Sequence, residues 1–244
     1  MAQINQLLYI PIAFVPSLIW LFWYLRKDVH PEPKRMVLSI FIWGMLVAFP
    51  AILLENLAIS FVRAAGLPSL LELATVYILG VALIEEAVKF AVVRFKVLNT
   101  TELDEPVDAM IYMIIAALGF AAIENVFLLT PLFAKGLLPT LELAFLRFTG
   151  ATFIHVLASA TIGYYLALSL YDPSKKFSRL IHGFLFAILL HGLYNILVIQ
   201  MEDHFPFLFP VAFLIVFSAA GVSMFFRRLA RMQSISIFVK EGKK

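Results

Sequence analysis

The chain contains no cysteine, and of its 244 residues only 14% are charged. The missing thiols exclude disulfides, thiolate metal sites and cysteine nucleophiles, and they leave the redox compartment unread. The scarcity of charge excludes a second, soluble domain, because too little polar surface remains to cover one. Two short catalytic elements are missing as well. No Gly-x-Ser-x-Gly stretch occurs, which disfavours a serine nucleophile on a strand-to-helix elbow. No His-Glu-x-x-His occurs, which disfavours a zincin. No internal repeat or low-complexity stretch is present. The first basic residue is Arg26, so the first apolar segment lacks the positive flank of a cleavable signal and is expected to be a retained span.

What the chain has is apolar length. Hydrophobic residues make up 62% of it, and the mean hydropathy is +0.95. That composition predicts an all-α, polytopic transmembrane helix bundle over residues 1–244. Seven segments can be drawn: Leu7–Leu25, Val37–Val62, Leu71–Phe95, Val107–Thr130, Leu141–Leu170, Leu180–Met201 and Phe207–Phe226. Each is about long enough to cross ~30 Å of hydrocarbon as a helix. The fifth is long enough to tilt or to extend into water.

Charge sets the expected orientation. Basic residues follow the first span (Arg26, Lys27, Lys34, Arg35), the third (Arg94, Lys96), the fifth (Lys175, Lys176, Arg179) and the seventh (Arg227 onward). Fifteen of the 19 therefore fall on one side, and only Arg63 and Lys135 on the other. The positive-inside rule predicts the N-terminus outside and the C-terminus in the cytoplasm. Residues 227–244 are expected to form a basic cytoplasmic tail. The expected partners are the lipid bilayer and a membrane substrate; a nucleic-acid partner is not expected.

The informative residues are polar ones inside the spans. Glu85, Glu86 and Lys89 interrupt the third, Glu124 and Asn125 the fourth, Arg147, His155 and Ser159 the fifth, and His191 and Asn195 the sixth. A charge at a helix centre costs roughly 2.5–3.5 kcal/mol in a bilayer, so several together call for a use. Glu85/Lys89, His155/Ser159 and His191/Asn195 are each spaced i,i+4 and share a helix face. Counted from the outer helix ends, Glu86 and His155 lie about 20 Å deep, His191 about 15 Å and Glu124 about 9 Å, within tilt of one level. Taken singly, His191 with Asn195 or Glu124 with Asn125 reads equally well as helix–helix glue. Asp108 and Arg147 read as end-of-helix residues reaching the headgroups. Glu55 and Asn56 read equally as an interfacial pair or as part of a site; His30 reads as a solvated loop residue.

Desolvation and a nearby ammonium act on a carboxylate in opposite directions. Their balance can poise a glutamate as a general base for water, and His and Asn side chains are suited to hold an oxyanion. That chemistry is amide hydrolysis without a covalent intermediate. A zinc site made from His155, His191 and a glutamate is a second reading. A non-enzymatic membrane protein that binds a peptide, or confers immunity, is a third, and a proton-coupled transporter a fourth.

In order along successive spans, Glu85-Glu86-x-x-Lys89, Phe120-x-x-x-Glu124-Asn125, His155-x-x-x-Ser159 and His191-x-x-x-Asn195 resemble the PrsW family. That family is similar to the wider superfamily of CAAX prenyl endopeptidases and bacteriocin-processing membrane proteins. The Asp28-x-x-Pro31-Glu32-Pro33 loop and Asp108-x-x-x-Tyr112 carry the same likeness. The resemblance implies a glutamate-dependent intramembrane endopeptidase that cuts a single-pass membrane protein, as in the first cut of an anti-sigma factor; a water activated by glutamate needs no cofactor, and Lys89 beside the pair would repel a cation. It implies that Glu85 and Glu86 activate water, that His191 and Asn195 hold the oxyanion, and that His155 orients water or substrate. Glu124 completes the catalytic set, with Lys89, Asn125, Ser159, Asp108 and Arg147 in support. The chain departs from the CAAX-type pattern at Lys89, which replaces an arginine one position later, and at Glu124, which replaces a histidine.

Overall fold

A computed structural model describes residues 10–26, 31–98, 100–203 and 205–232. Asp28 and His30 of the first loop, and residues 233–244 of the basic tail, lie outside the described residues. The described residues form helices joined by loops, without a strand. In chain order they form α1 (Ile10–Leu25), α2 (Lys34–Ala64), α3 (Ser69–Ala74), a π-helical segment (Thr75–Ala82), α4 (Leu83–Lys96), α5 (Asp108–Phe133), α6 (Leu137–Thr149), α7 (Ala151–Tyr171), α8 (Lys176–Asp203) and α9 (Leu208–Leu229).

Among the described residues, five stretches are long and apolar enough to cross a membrane: Lys34–Ala64, Asp108–Phe133, Leu137–Tyr171, Pro173–Met201 and Leu208–Leu229. Two of the seven expected spans are not among these five. The described part of the first, helix α1, has 16 residues, which reach about 24 Å, and Leu7–Tyr9 of that span lie outside the described residues. The third run is helical over 69–96 but is divided among α3, the π-helical segment and α4. The fifth run is not one tilted helix. It breaks at Gly150, between α6 and α7 (φ −112°, ψ −94°), and the Trp20 indole N–H donates to the carbonyl of Phe148 beside the break at 2.9 Å. A carbonyl freed by the break thus gains a donor from α1. Arg227 and Arg228, expected in the tail, belong to the last turn of α9.

Helix α5 is the axis of the bundle. Every residue from Asp108 to Ala122 is buried. A helix apolar on all faces must be enclosed by others, and α2, α7 and α1 pack around it. Small residues allow the closest approach. A Cβ on Gly119 would strike the backbone carbonyl of Phe41, and one on Gly44 that of Ala116, so these glycines set the α2–α5 crossing. The outward faces are apolar: Phe61 and Phe209 are 82% and 73% exposed. An apolar core inside an apolar rim is the pattern of a multi-pass membrane protein, whose outer surface is solvated by lipid.

Candidate active site

Four helices bring their polar residues to one place. Helix α4 supplies Glu85, Glu86 and Lys89, α5 supplies Glu124 and Asn125, α7 supplies Thr152, His155 and Ser159, and α8 supplies His191. Gly192, next to His191, lets α8 lie against the π-helical segment: a Cβ there would be 2.9 Å from the Cα of Ile78. π-helical turns concentrate at functional sites, and this one leads directly into the turn that carries both glutamates.

Lys89 is the centre of the cluster. Its side chain is fully buried, and its three ammonium protons meet three acceptors. Nζ donates to Glu85 Oε2 at 3.0 Å, to Glu86 Oε1 at 2.8 Å and to His155 Nδ1 at 2.8 Å. The Phe120 ring lies under the ammonium, 4.5 Å from its centroid. An ammonium only donates, so His155 Nδ1 accepts and its Nε2–H donates to Glu124 Oε2 at 2.7 Å. His155 is thereby fixed at both ring nitrogens.

The two adjacent glutamates differ in how far they are tied. Glu86 is held at both oxygens: Oε1 takes Lys89 and the Nδ1 of His191 at 3.1 Å, and Oε2 takes the Ser159 hydroxyl at 2.6 Å. Glu85 is bound through Oε2. The Nε2 of His191 faces that same oxygen at 3.9 Å, and the two imidazoles meet edge to face with centroids 4.7 Å apart.

A second layer anchors Glu124. Arg147 Nη2 donates to Glu124 Oε2 at 2.5 Å, and Arg147 Nε donates to Asn125 Oδ1. The Asn125 amide then donates to Thr152 Oγ1 at 3.3 Å. Arg147 is buried, so it does not reach for headgroups as its place near a helix end suggested. The break at Gly150 ends α6 three residues later and leaves this side chain among the others.

Two expected site residues are placed differently. Asp108 stands sixteen residues before Glu124 on α5, about 24 Å along the axis, where its Oδ2 accepts the backbone N–H groups of Asp104 and Glu105. It caps the turn before α5 and takes no part in the cluster. Tyr112, one turn on, donates its hydroxyl to Glu32, so the Asp108-x-x-x-Tyr112 element fastens the first loop to α5. Asn195 lies one turn from His191 on α8, half-buried, and the cluster's hydrogen bonds do not include it. Thr152 is an addition from the structure, and Phe120, which the sequence offers only as part of the family motif, gains a place under the Lys89 ammonium. Thr152 is spaced i,i+3 from His155 and Phe120 i,i+4 from Glu124, so helical spacing was the signal for both.

Glu85, Glu86, His155 and His191 each present one ligand-type atom, and these four atoms lie within 4.8 Å of one another. Imidazole and carboxylate suit a zinc ion, so the donor set fits one by type. The same acceptors now receive the Lys89 ammonium, which such an ion would displace.

Comparison with known proteins points to one family. Residues 32–221 match the model of the PrsW family intramembrane metalloprotease. The chain is 32% identical to the Protease PrsW of Geobacillus kaustophilus over 181 residues, covering 74% of this chain and 75% of the relative. It is 28% identical to the Protease PrsW of Clostridioides difficile over 208 residues, covering 84% of each. It is 31% identical to that of Oceanobacillus iheyensis, covering 76% of this chain and 80% of the relative. No solved structure matches.

Proposed function

Because the chain belongs to the PrsW family of intramembrane proteases, we propose that it cuts a single-pass membrane protein with a water molecule activated by Glu85. The observation that carries this reading is the unequal binding of the two glutamates. Glu86 spends both oxygens on Lys89, His191 and Ser159, so it orients the others. Among the described residues the hydrogen bonds of Glu85 run through Oε2, and we assign Oε1 to accept from water. Glu85 takes the proton as water adds to the scissile carbonyl and returns it to the leaving amine as the C–N bond breaks. His191, donating through Nε2 when doubly protonated, and Asn195 hold the oxyanion. His155, fixed between Lys89 and Glu124, keeps the cluster in register.

Only an unwound segment can offer its carbonyl to these donors, because a helical segment already uses its own backbone groups. The proposed target is therefore a single-pass protein cut at a helix-breaking stretch near a membrane face; an anti-sigma factor is the class that the family suggests. The basic asymmetry supports an N-terminus outside and a C-terminus in the cytoplasm. The test compares wild-type and Glu85→Gln cells by quantitative N-terminal proteomics of the membrane fraction. Loss of a general base lowers the rate by ~10²–10⁴-fold, so N-termini next to single transmembrane segments should disappear at equal enzyme abundance. Glu85-dependent termini confined to soluble domains would overturn the reading.

The four converging ligand atoms and the family description support a second reading, a metal-dependent cut. Glu85, Glu86, His155 and His191 would hold the ion, which when bound would polarise the carbonyl and acidify water. Elemental analysis of active protein separates the two. Stoichiometric zinc, with activity lost to chelator and restored by zinc, selects the metal.

A further inference from the structure

Helix α2 contributes no residue to the cluster as described, yet one of its side chains faces it. Glu55 and Asn56 are neighbours in sequence and point apart. Asn56 is exposed and donates to the carbonyl of Ile52 in its own helix at 2.7 Å. Glu55 is half-buried, and its Oε1 is buried without a hydrogen-bond partner among the described residues. Its carboxylate lies within electrostatic reach of Glu85, Glu124 and Lys89, and α2 packs against both the π-helical segment and α4.

The donors of the cluster are directed elsewhere. Lys89 serves Glu85, Glu86 and His155; Arg147 serves Glu124 and Asn125; Ser159 serves Glu86. A buried acceptor without a donor is destabilising, and a fourth carboxylate beside three others adds repulsion. The Lys89 ammonium offsets part of the repulsion, but no hydrogen bond among the described residues reaches this oxygen. A peptide segment unwound at this site would supply one. Each of its residues brings one carbonyl and one N–H, and both must be satisfied away from water. His191 and Asn195 offer donors to the carbonyl. Glu55 offers the complementary acceptor, on a side chain partly open to the bundle's exterior.

We propose that Glu55 is a positioning residue of this site, its unpartnered oxygen accepting a backbone N–H of the unwound substrate segment. The assignment rests on the peptidase reading above. It predicts opposite effects on stability and on cleavage, which a structural role does not.

The test uses full-length Glu55→Leu and Glu55→Gln at equal membrane abundance, with the proteins whose N-termini depend on Glu85 as probes. Leucine removes the acceptor and the charge, whereas glutamine keeps a carbonyl acceptor. Glu55→Leu should lower cleavage roughly ten- to hundredfold, the weight of a hydrogen bond to a charged group. It should unfold in detergent no earlier than wild type. Glu55→Gln should recover most of the loss. In an inactive Glu85→Gln background, adding Glu55→Leu should reduce the uncut probe that co-purifies. Normal cleavage by Glu55→Leu would overturn the assignment, and so would earlier unfolding. Lost cleavage with undiminished capture would also overturn it, by placing Glu55 in the chemical step. If no N-terminus depends on Glu85, the peptidase reading falls and takes this one with it. If such termini exist and Glu55→Leu still cuts them, only the positioning role falls.

Discussion

Replacing Lys89 by methionine, which keeps length and removes charge, tests the centre of the cluster. The ammonium lies 2.8 Å from Glu86 and 3.0 Å from Glu85, and all three side chains are nearly or fully buried. At an effective dielectric of about 20, each contact carries a gross attraction of about 6 kcal/mol. Desolvation offsets much of that, and breaking a buried pair by removing one partner costs ~3–5 kcal/mol net. Lys89→Met strands two carboxylates and removes the donor to His155 Nδ1, so the upper half of that range is expected. The assay is thermal unfolding in detergent, with Glu85→Gln/Glu86→Gln/Lys89→Met as the control. The triple variant has no stranded charge and should unfold well above Lys89→Met. The reasoning is refuted if Lys89→Met unfolds with wild type, or if the triple variant is no better than the single. A metal ion bound by the same acceptors would give a different signature. Lys89→Met would then be rescued by added zinc and sensitised by chelator.

Three further outcomes follow from the geometry. Arg147→Lys should impair cleavage nearly as much as Arg147→Met, because a lysine cannot reproduce the separate bonds from Nε to Asn125 and Nη2 to Glu124. The methionine variant should lose about 3 kcal/mol of stability, the low end for a buried pair, because the Glu124 side chain is 29% exposed. Gly119→Ala should destabilise the α2–α5 crossing by about 3 kcal/mol, since the atom in the way is a backbone carbonyl; thermal unfolding measures it. In the cysteine-free chain, Lys135→Cys in intact cells should react with a membrane-impermeant thiol reagent, and Ser174→Cys should not.

The cluster was legible because helical spacing survives insertion into a bundle. The i,i+4 and i,i+3 offsets that put Lys89 beside Glu85 and Glu86 are local and needed no knowledge of neighbours. Convergence of Glu124 with His155 was harder, because counted depths set them about 11 Å apart; the break at Gly150 and unequal helix ends close that gap. Neither the break nor the π-helical stretch announces itself in composition: Thr75–Ala82 reads as ordinary apolar helix. Arg147 reads as interfacial only while the fifth run is one continuous helix; the break at Gly150 turns it inward. Glu55 was open between two readings because a single polar residue near a helix end does not say which way it faces. Asp108 shared the resemblance without sharing the site, since family likeness marks fastenings as well as chemistry.

The enclosure of α5 has a consequence for biogenesis. Chains enter the membrane in order, and Glu124 and Asn125 on α5 precede Arg147, Thr152 and His155, which bond them. Arg147, the cation that meets Glu124, follows 23 residues later on α6. Released alone, α5 would carry an uncompensated charge costing roughly 2.5–3.5 kcal/mol. Released together with α6 as a hairpin, it enters with the charge already matched. The Glu124–Arg147 pair would then act first in co-insertion and only later in holding the cluster together. A variant that neutralises Arg147 should therefore leave a fraction of chains with α5 outside the bilayer.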